Sequence, residues 1–578
     1  MNRSLSDLKT EFKLVEPPPG LSEEEGKVEV VVTNQGTKLY KGPLDVNLYA
    51  SADSVLDFPL NEGDLAGTDE LLGNLEQSEI SLTPGQSKTL TLDFATDEFR
   101  APTVVAPGAY HLIAEVDPNN TIAEKEENNN IANTFVSTPE TDVILDWNST
   151  FLNAIQANGI KFVEGDPEAV PALDPRDGAI VHTAMYDAVN AIERTHQPYF
   201  AHIDASEVEC ASSEAAAVGA AYQTLINLYP TEKDIFEAQR IRSLAEIPDG
   251  VAEETGFELG VEVANQILEL RSDDGVFEAF TKPYTAEPTP GIWRPTPSNT
   301  TGEPGAEALL PGWGDVTPFA ISSVEDILHS TGIDGPPSLD SEQYARELEE
   351  VRSLGGLEDT ALTEVTRTPE QTEIAKFWAL DRFDTYQTTG QYNVIAQEVA
   401  LEQGNSLAEN ARLFALLNTA LADAGAVAFD AKYTYNQWRP ITGIREADTD
   451  GNPDTVQDSD WNPLLDNPPF PDYIAAHTTS AGAASQVLTS FFERDDISFD
   501  VHSQELPGTS RSLNSFSEIA EEVGQSRLYA GVHLRSSNEE GIMAGKAVGN
   551  SVFDNILRPA DGLEQLANET VESSDFIV

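Results

Sequence analysis

The sequence predicts a multidomain chain in which an all-β sandwich precedes a large all-α assembly. Three observations predict it. Residues 8 to about 138 alternate apolar and polar side chains with period two, the mark of strands with one buried face. From residue 143 to about 560 the apolar residues recur at helical spacing. Between them lies Thr138-Pro139-Glu140-Thr141, a breaker-rich stretch that reads as a linker over 139–142. The length of 578 residues allows two to four domains, each able to bury a large core.

In the β region, strands are expected at Lys27-Val28-Glu29-Val30-Val31-Val32, Leu44-Asp45-Val46-Asn47-Leu48-Tyr49, Lys88–Phe94 and Tyr110–Val116. Turn signals separate them: Asn34-Gln35-Gly36, Pro84-Gly85, Pro107-Gly108 and Asp117-Pro118-Asn119-Asn120. Short strands at this spacing suit a β-sandwich. The Asn34-Gln35-Gly36 turn, the Ala106-Pro107-Gly108 strand entry and the run Val116–Asn120 before Glu127-Asn128-Asn129 resemble the cell-adhesion-related (CARDB) domain of bacteria. The resemblance covers about 130 residues and implies an immunoglobulin-like fold without catalytic residues. It further implies an accessory module with a surface, carbohydrate or protein partner, a plain spacer being the alternative.

In the second region, Asp174-Pro175-Arg176 offers an N-cap followed by proline at the first helical position. Ile180, Ala184, Tyr186-Asp187-Ala188 and Ile192 then keep helical spacing. Residues 211–229, 231–246, 250–271, 339–353, 369–379, 391–403 and 407–432 read the same way, as do 477–493, 515–530 and 538–557. A proline-rich section, 283–337, interrupts them and is expected to wrap the surface. No internal repeat is visible, so the second region is one helical assembly. Residues 561–578 form an acidic tail.

Composition excludes several function classes. Asp plus Glu number 99 against 33 Lys plus Arg, a net charge of −66. Such a field repels polyanions, which excludes a nucleic-acid binder held by phosphate contacts, and it disfavours anionic lipid surfaces. The single cysteine, Cys210, excludes a disulfide framework and a multi-thiolate zinc site; preceding an Ala-rich helix, it reads as a buried thiol. No stretch of 18 apolar residues is present, so no membrane span is expected. The start, MNRSLSDLKTEF, lacks the apolar core of a signal peptide. The end, Glu572-Ser573-Ser574-Asp575-Phe576-Ile577-Val578, resembles the uncleaved C-terminal signals of type I bacterial exporters. It implies secretion by that route, a frayed acidic terminus being the alternative.

Against this acidity, three segments gather cations and histidines. In Lys432-Tyr433-Thr434-Tyr435-Asn436-Gln437-Trp438-Arg439-Pro440, the lysine and arginine are seven residues apart, so helical spacing puts both on nearly one face, with Pro440 ending the helix. In Pro468-Pro469-Phe470-Pro471-Asp472-Tyr473-Ile474-Ala475-Ala476-His477, prolines force an extended entry and small residues open a helix. His477 then sits at the helix mouth, where free N–H groups suit an anion. In Ser526-Arg527-Leu528-Tyr529-Ala530-Gly531-Val532-His533, Gly531 permits a break that lets Arg527 and His533 converge. Taken singly, each segment also reads as an ordinary solvated face, cap or packed histidine.

In order, these segments resemble the vanadium-dependent haloperoxidases of the type-2 phosphatidic acid phosphatase superfamily. Arg176, His182 and Tyr186–Ala191 look like that family's first core helix, and Phe377-Trp378-Ala379 also matches. The resemblance spans about 400 residues and implies a helical-bundle fold. It implies vanadate, or phosphate in its place, held by Lys432, Arg439, Arg527 and the Ala476 backbone N–H. His533 would be the axial vanadium ligand, His477 the acid–base group and Lys432 an added donor to a peroxide oxygen. Phe429 and Phe470 would line the halide side, ordinary core packing being the alternative. Asp381 resembles a supporting carboxylate near the first arginine.

Two positions depart from the family pattern. Ala475 stands where relatives carry a serine that hydrogen-bonds the oxyanion. Ser537 stands where they carry an aspartate that orients the ligand histidine; Ser537, Asn538 or Glu540 are the candidates to substitute. The expectation is a haloperoxidase-like enzyme, weakened at these positions, that oxidises halide with hydrogen peroxide to a hypohalous species acting on a small organic acceptor. A phosphomonoester hydrolase using the same residues, and a non-enzymatic exported binding protein with a decayed site, are the alternatives. Asp448–Asp454 reads as a turn rather than a calcium loop, and Ser480 and Ser485 lack a hydrolase elbow.

Overall fold

A computed structural model describes residues 8–16, 26–51, 70–94, 109–118, 122, 130–137, 142–164, 174–203, 208, 210–298, 305–506 and 509–560. Its contacts divide the chain into two units, Met1–Asp142 and Val143–Val578.

The first unit contains β1 (Leu8–Glu16), β2 (Gly26–Asn34), β3 (Tyr40–Ser51), β4 (Glu70–Leu82), β5 (Ser87–Phe94), β6 (Ala109–Val116) and β7 (Ile131–Ser137). They form two antiparallel sheets, ordered β1-β2-β5 and β4-β3-β6-β7. Val28, Val30 and Val32 of one sheet and Leu44, Val46 and Leu48 of the other share one core, every second residue pointing inward. The expected sandwich is present. The turn after β2 is tied by Asn34, whose side chain donates to the carbonyls of Lys38 and Leu82, each at 2.8 Å, and accepts from Gly36 N–H at 3.0 Å. Gly85, at φ 81°, makes the Pro84-Gly85 turn. β1, β4 and β7 had no separate sequence signal; β4, with Gly73, Asn74 and Gln77, lacks a clean alternation. The expected Pro107-Gly108 turn, Asn119-Asn120, Glu127–Asn129, linker residues 138–141 and tail 561–578 lie outside the described residues.

The second unit begins with α1 (Val143–Glu164), α2 (Asp174–Glu193), α3 (Ser213–Leu228), α4 (Lys233–Ala245), α5 (Val251–Leu270) and α6 (Val276–Thr281). Next come α7 (Val324–Thr331), α8 (Glu342–Leu354), α9 (Pro369–Phe377), α10 (Gln387–Gln403), α11 (Leu407–Tyr435) and α12 (Pro440–Arg445). α13 (Ala476–Phe491), a small hairpin of β8 (Phe499–His502) and β9 (Ser510–Leu513), α14 (Phe516–Ala530) and α15 (Arg535–Asn555) complete it.

α11 is the axial helix. Ser406 and Glu409 start it with a reciprocal capping box, and Asn436, in the left-handed region at φ 52°, stops it. By length and a mean hydropathy of 1.3 it could cross a membrane, but 83% of that stretch is buried inside the protein, as befits a core helix. α13 and α15 pack backbone to backbone, since a Cβ on Gly545 would lie 2.0 Å from the Thr479 carbonyl oxygen. The Ala475 N–H bonds to Ser537 O at 3.1 Å, which seats the start of α13, with His477, against the start of α15, which follows His533.

Three expectations need correction. Pro440 does not end the Lys432 helix. Asn436 ends it, and Pro440 is the first residue of α12, where its missing N–H costs nothing. The proline-rich section does more than wrap the surface. Trp293 N–H bonds to Asn436 O at 2.7 Å, Trp438 N–H to Gly291 O at 2.9 Å and Leu309 N–H to Pro469 O at 2.8 Å, lacing it to two of the three singled-out segments. Cys210 is exposed rather than buried, in a turn at φ 71° ahead of α3.

Candidate functional site

The three sequence segments meet in the interior of the helical unit. Lys432, on the last turn of α11, is fully buried, and its ammonium donates to the carbonyls of Pro471 at 3.0 Å and Asp472 at 2.9 Å. Arg439, in the bend between α11 and α12, donates through Nε to Phe470 O at 2.9 Å and through Nη1 to Val532 O at 2.8 Å. Arg527, on the last turn of α14, donates through Nη1 to the carbonyls of Trp378 at 3.0 Å and Ala379 at 3.2 Å. Its Nη2 pairs with Asp381 at 3.2 Å. Gly531, at φ 79°, caps α14 and turns the chain so that His533 faces the arginines.

His533 Nε2 lies 3.0 Å from Arg439 Nη1, and its Nδ1 pairs with the Asp472 carboxylate. A carboxylate only accepts and a guanidinium only donates, so Nδ1 carries the proton and Nε2 the lone pair. His477, second residue of α13, places Nε2 2.9 Å from Ala379 O and 3.5 Å from Asp381. Nε2 therefore carries that ring's proton and Nδ1 is its basic nitrogen.

Burial and crowding of like charges shape the electrostatics. Burial, then Arg439, holds the Lys432 ammonium well below its usual range. Burial pushes Arg439 down to about 10, against the pull of Asp472. Burial and the neighbouring Arg439, Lys432, Arg527 and His477 hold the His533 ring well below its usual pKa, and burial with Arg527 takes His477 down to about 4. Burial lifts the Asp472 carboxyl to about 6, while Arg439 and Lys432 oppose it.

Two guanidinium donors are left over. Among the described residues, Arg439 Nη2 and Arg527 Nε are buried without a hydrogen-bond partner. Orphaned donors in a dry site are costly unless a ligand meets them. Forked arginines, a lysine and the free N–H groups at the start of α13 suit the oxygens of a tetrahedral oxyanion. Such a group therefore fits the residues present.

The singled-out residues Lys432, Arg439, His477, Arg527 and His533 thus converge, and Ala476 precedes His477 as the first residue of α13. Phe470 lies under two cations, 4.9 Å from Lys432 Nζ and 5.0 Å from Arg439 Cζ, and its ring meets Phe429 at 5.2 Å. Asp381 is paired with Arg527, not with the first arginine, Arg439. Glu540 pairs with Tyr473 rather than His533, and among the described residues the buried Asn538 amide has no partner. Ser537 Oγ does approach His533 Nδ1, at 3.3 Å. The carboxylate against His533 Nδ1 is instead Asp472, which sequence reasoning passed over. Its available signal was a lone acid, fixed after Pro471, in an otherwise apolar entry to α13. Among the described residues no set of three His, Cys, Asp or Glu gathers to hold a cation, and Asp450 closes a turn onto Asn452 N–H and Thr455.

Fold and site together define a helical bundle built around a buried cationic nest. Residues 412–562 match the family model of the VCPO second helical-bundle domain, and residues 6–134 match that of CARDB. The chain is 28% identical over 450 residues to the vanadium chloroperoxidase of Curvularia inaequalis, a match covering 64% of this chain and 71% of that protein. A bacterial vanadium-dependent iodoperoxidase superposes with a TM-score of 0.59 at 26% identity, over 72% of this chain and 97% of that one. A holo-type bacterial vanadium-dependent chloroperoxidase, at 16% identity and a TM-score of 0.52 over 66% of this chain and 90% of that one, shares the fold. The N-terminal unit is thus similar to CARDB domains, and the helical unit is similar in sequence and fold to vanadium haloperoxidases.

Proposed function

We propose that the helical unit is a vanadate-dependent haloperoxidase that uses hydrogen peroxide to oxidise a halide to a hypohalous species, which then halogenates a small organic acceptor. The observation that carries this reading is the pair of buried, unpartnered guanidinium donors on Arg439 and Arg527 beside the lone pair of His533 Nε2. Lys432, Arg439, Arg527 and the Ala476 N–H would hold the oxyanion's oxygens, and His533 Nε2 would ligate the vanadium. When bound, vanadate supplies Lewis-acid activation of peroxide toward the halide.

The chain's own residues do the rest. Three cations against two carboxylates, Asp472 and Asp381, leave the nest one positive charge in excess before an anion enters. Neutral at pH 7, His477 takes at Nδ1 the proton that hydrogen peroxide gives up, and Asp381 and Ala379 O hold its ring in place. Phe470 and Phe429 keep water from the cation side of the nest and give a polarisable wall to a halide.

The test is an assay of the full-length protein reconstituted with orthovanadate, hydrogen peroxide and bromide, following bromination of an organic acceptor. A phosphate ester without vanadate runs beside it. Bromination supports the proposal. Ester hydrolysis without bromination assigns the same residues to a phosphomonoesterase, with His533 Nε2 as nucleophile. Neither activity, with no vanadate bound, leaves a non-enzymatic binding protein.

A further inference from the structure

We infer that Asp472 is a positioning residue of this site: its carboxylate fixes the His533 proton on Nδ1, and its carbonyl shares with that of Pro471 the anchoring of Lys432. The inference deepens the reading above and rests on it only where vanadate affinity is measured.

Asp472 has no exposed surface. Its carboxylate pairs with His533 Nδ1, and its second oxygen accepts the Leu534 N–H at 3.3 Å. Its carbonyl accepts Lys432 Nζ at 2.9 Å and Ser537 Oγ at 3.1 Å, and its N–H donates to Gln437 O at 2.9 Å. The main chain and the side chain of one residue therefore serve different cavity groups. Among the described residues, the ion pair recorded for Asp472 is with His533, while Lys432 and Arg439 are met by main-chain oxygens.

The alternative acceptor also shows how the device is built. Ser537 lies four residues after His533, where helical spacing returns to the same face. Its hydroxyl is 3.3 Å from Nδ1, yet it already donates to the Asp472 carbonyl at 3.1 Å. Position 537 can thus reach the ring but carries no charge here; the charge arrives from the α13 entry segment. Each position should be able to stand in for the other.

The test uses full-length protein labelled with ¹⁵N at histidine, without vanadate. His533, one of 8 histidines, is assigned by the signals lost in His533→Gln. The wild type should show the proton on Nδ1. Asp472→Ala should shift that population toward Nε2–H, and Asp472→Ala with Ser537→Asp should restore it. In equilibrium dialysis, Asp472→Ala should bind vanadate about ten- to a hundred-fold more weakly, the usual effect of losing a group that orients a ligand. The double variant should recover most of that loss. A wild-type His533 protonated on Nε2 overturns the inference without any variant, so it stays testable even where Asp472→Ala fails to fold. An unchanged tautomer and affinity in a folded Asp472→Ala also overturns it. If the wild type binds no vanadate, the haloperoxidase reading falls and the tautomer alone decides this one.

Discussion

Gly531 and Gly355 touch through their backbones: a Cβ on Gly531 would lie 2.4 Å from the Gly355 carbonyl oxygen. The contact lies in the turn that carries the chain from Arg527 to His533, and Gly531 holds it at φ 79°. Gly531→Ala adds about 1–2 kcal/mol of left-handed strain and pushes two chain segments apart. The expected outcome is a lowered melting temperature together with weakened vanadate binding, because the turn sets the spacing between arginine and histidine. A stable variant with wild-type affinity would show that the turn tolerates a side chain and does not govern the site.

Phe470 offers its ring to Lys432 and Arg439 at once. Phe470→Leu keeps apolar contact with Phe429 but removes the quadrupole beneath both cations. A desolvated cation–ring contact is worth about 2 kcal/mol, so the variant should remain folded while oxyanion affinity changes by roughly tenfold or more. Circular dichroism and a vanadate titration check the two halves separately. Unaltered affinity would make Phe470 a packing residue only.

The periodicities that made both units legible are consequences of one-sided burial, which is why the Val28, Val30, Val32 face and the α2 core could be read directly. The cation-bearing segments were legible because Lys432, Arg439, Arg527 and His533 are chemically distinctive side chains in an acidic chain. What stayed hidden has no local signature. Asp472 and His533 are separated by 61 residues, and nothing in either neighbourhood names the other. The acceptors that hold Arg527, the Trp378 and Ala379 carbonyls, are main-chain atoms that any residue supplies. Pro440 reads as a stop because proline breaks a helix interior, yet here it occupies the one helical position that favours it.

Ala475 is the N-cap of α13, and its methyl makes no capping bond. A serine there has two competing uses. Bonded to the helix, its hydroxyl would add about 1 kcal/mol of stability. Bonded to a charged oxyanion oxygen it would contribute about 1.5–3 kcal/mol to binding. Ala475→Ser is therefore expected to tighten vanadate binding by about ten- to a hundred-fold with little change in the melting temperature of the vanadate-free protein. Higher melting temperature with constant affinity would place the hydroxyl on the helix instead.

His477 links rate to pH. Burial and Arg527 depress its pKa from 6.5 to about 4, so the neutral base persists at mildly acidic pH. Halide oxidation should fall as pH drops through about 4, and the limb should vanish in His477→Ala along with most of the rate. A limb near 6.5 would show an exposed histidine and sink the assigned base.

His182 isolates the cost of a buried ring. It stacks on Phe414 at 5.3 Å, meets the edge of Phe151 at 6.0 Å, and among the described residues neither ring nitrogen has a hydrogen-bond partner. Burial takes its pKa from 6.5 down to about 3. The unfolded chain then binds this proton more readily than the folded one. Its contribution to stability is complete above pH 6.5 and is lost progressively as pH falls toward 3. His182→Leu removes both orphaned nitrogens and keeps an apolar group between the phenylalanines. It should stabilise the protein by about 1 kcal/mol at pH 7, and the gain should grow as pH falls from 6.5. Denaturant titrations of both proteins at pH 7 and pH 5 read this difference directly. A constant or negative difference would mean that the imidazole finds a partner in solution and that the acid sensitivity of the fold lies elsewhere.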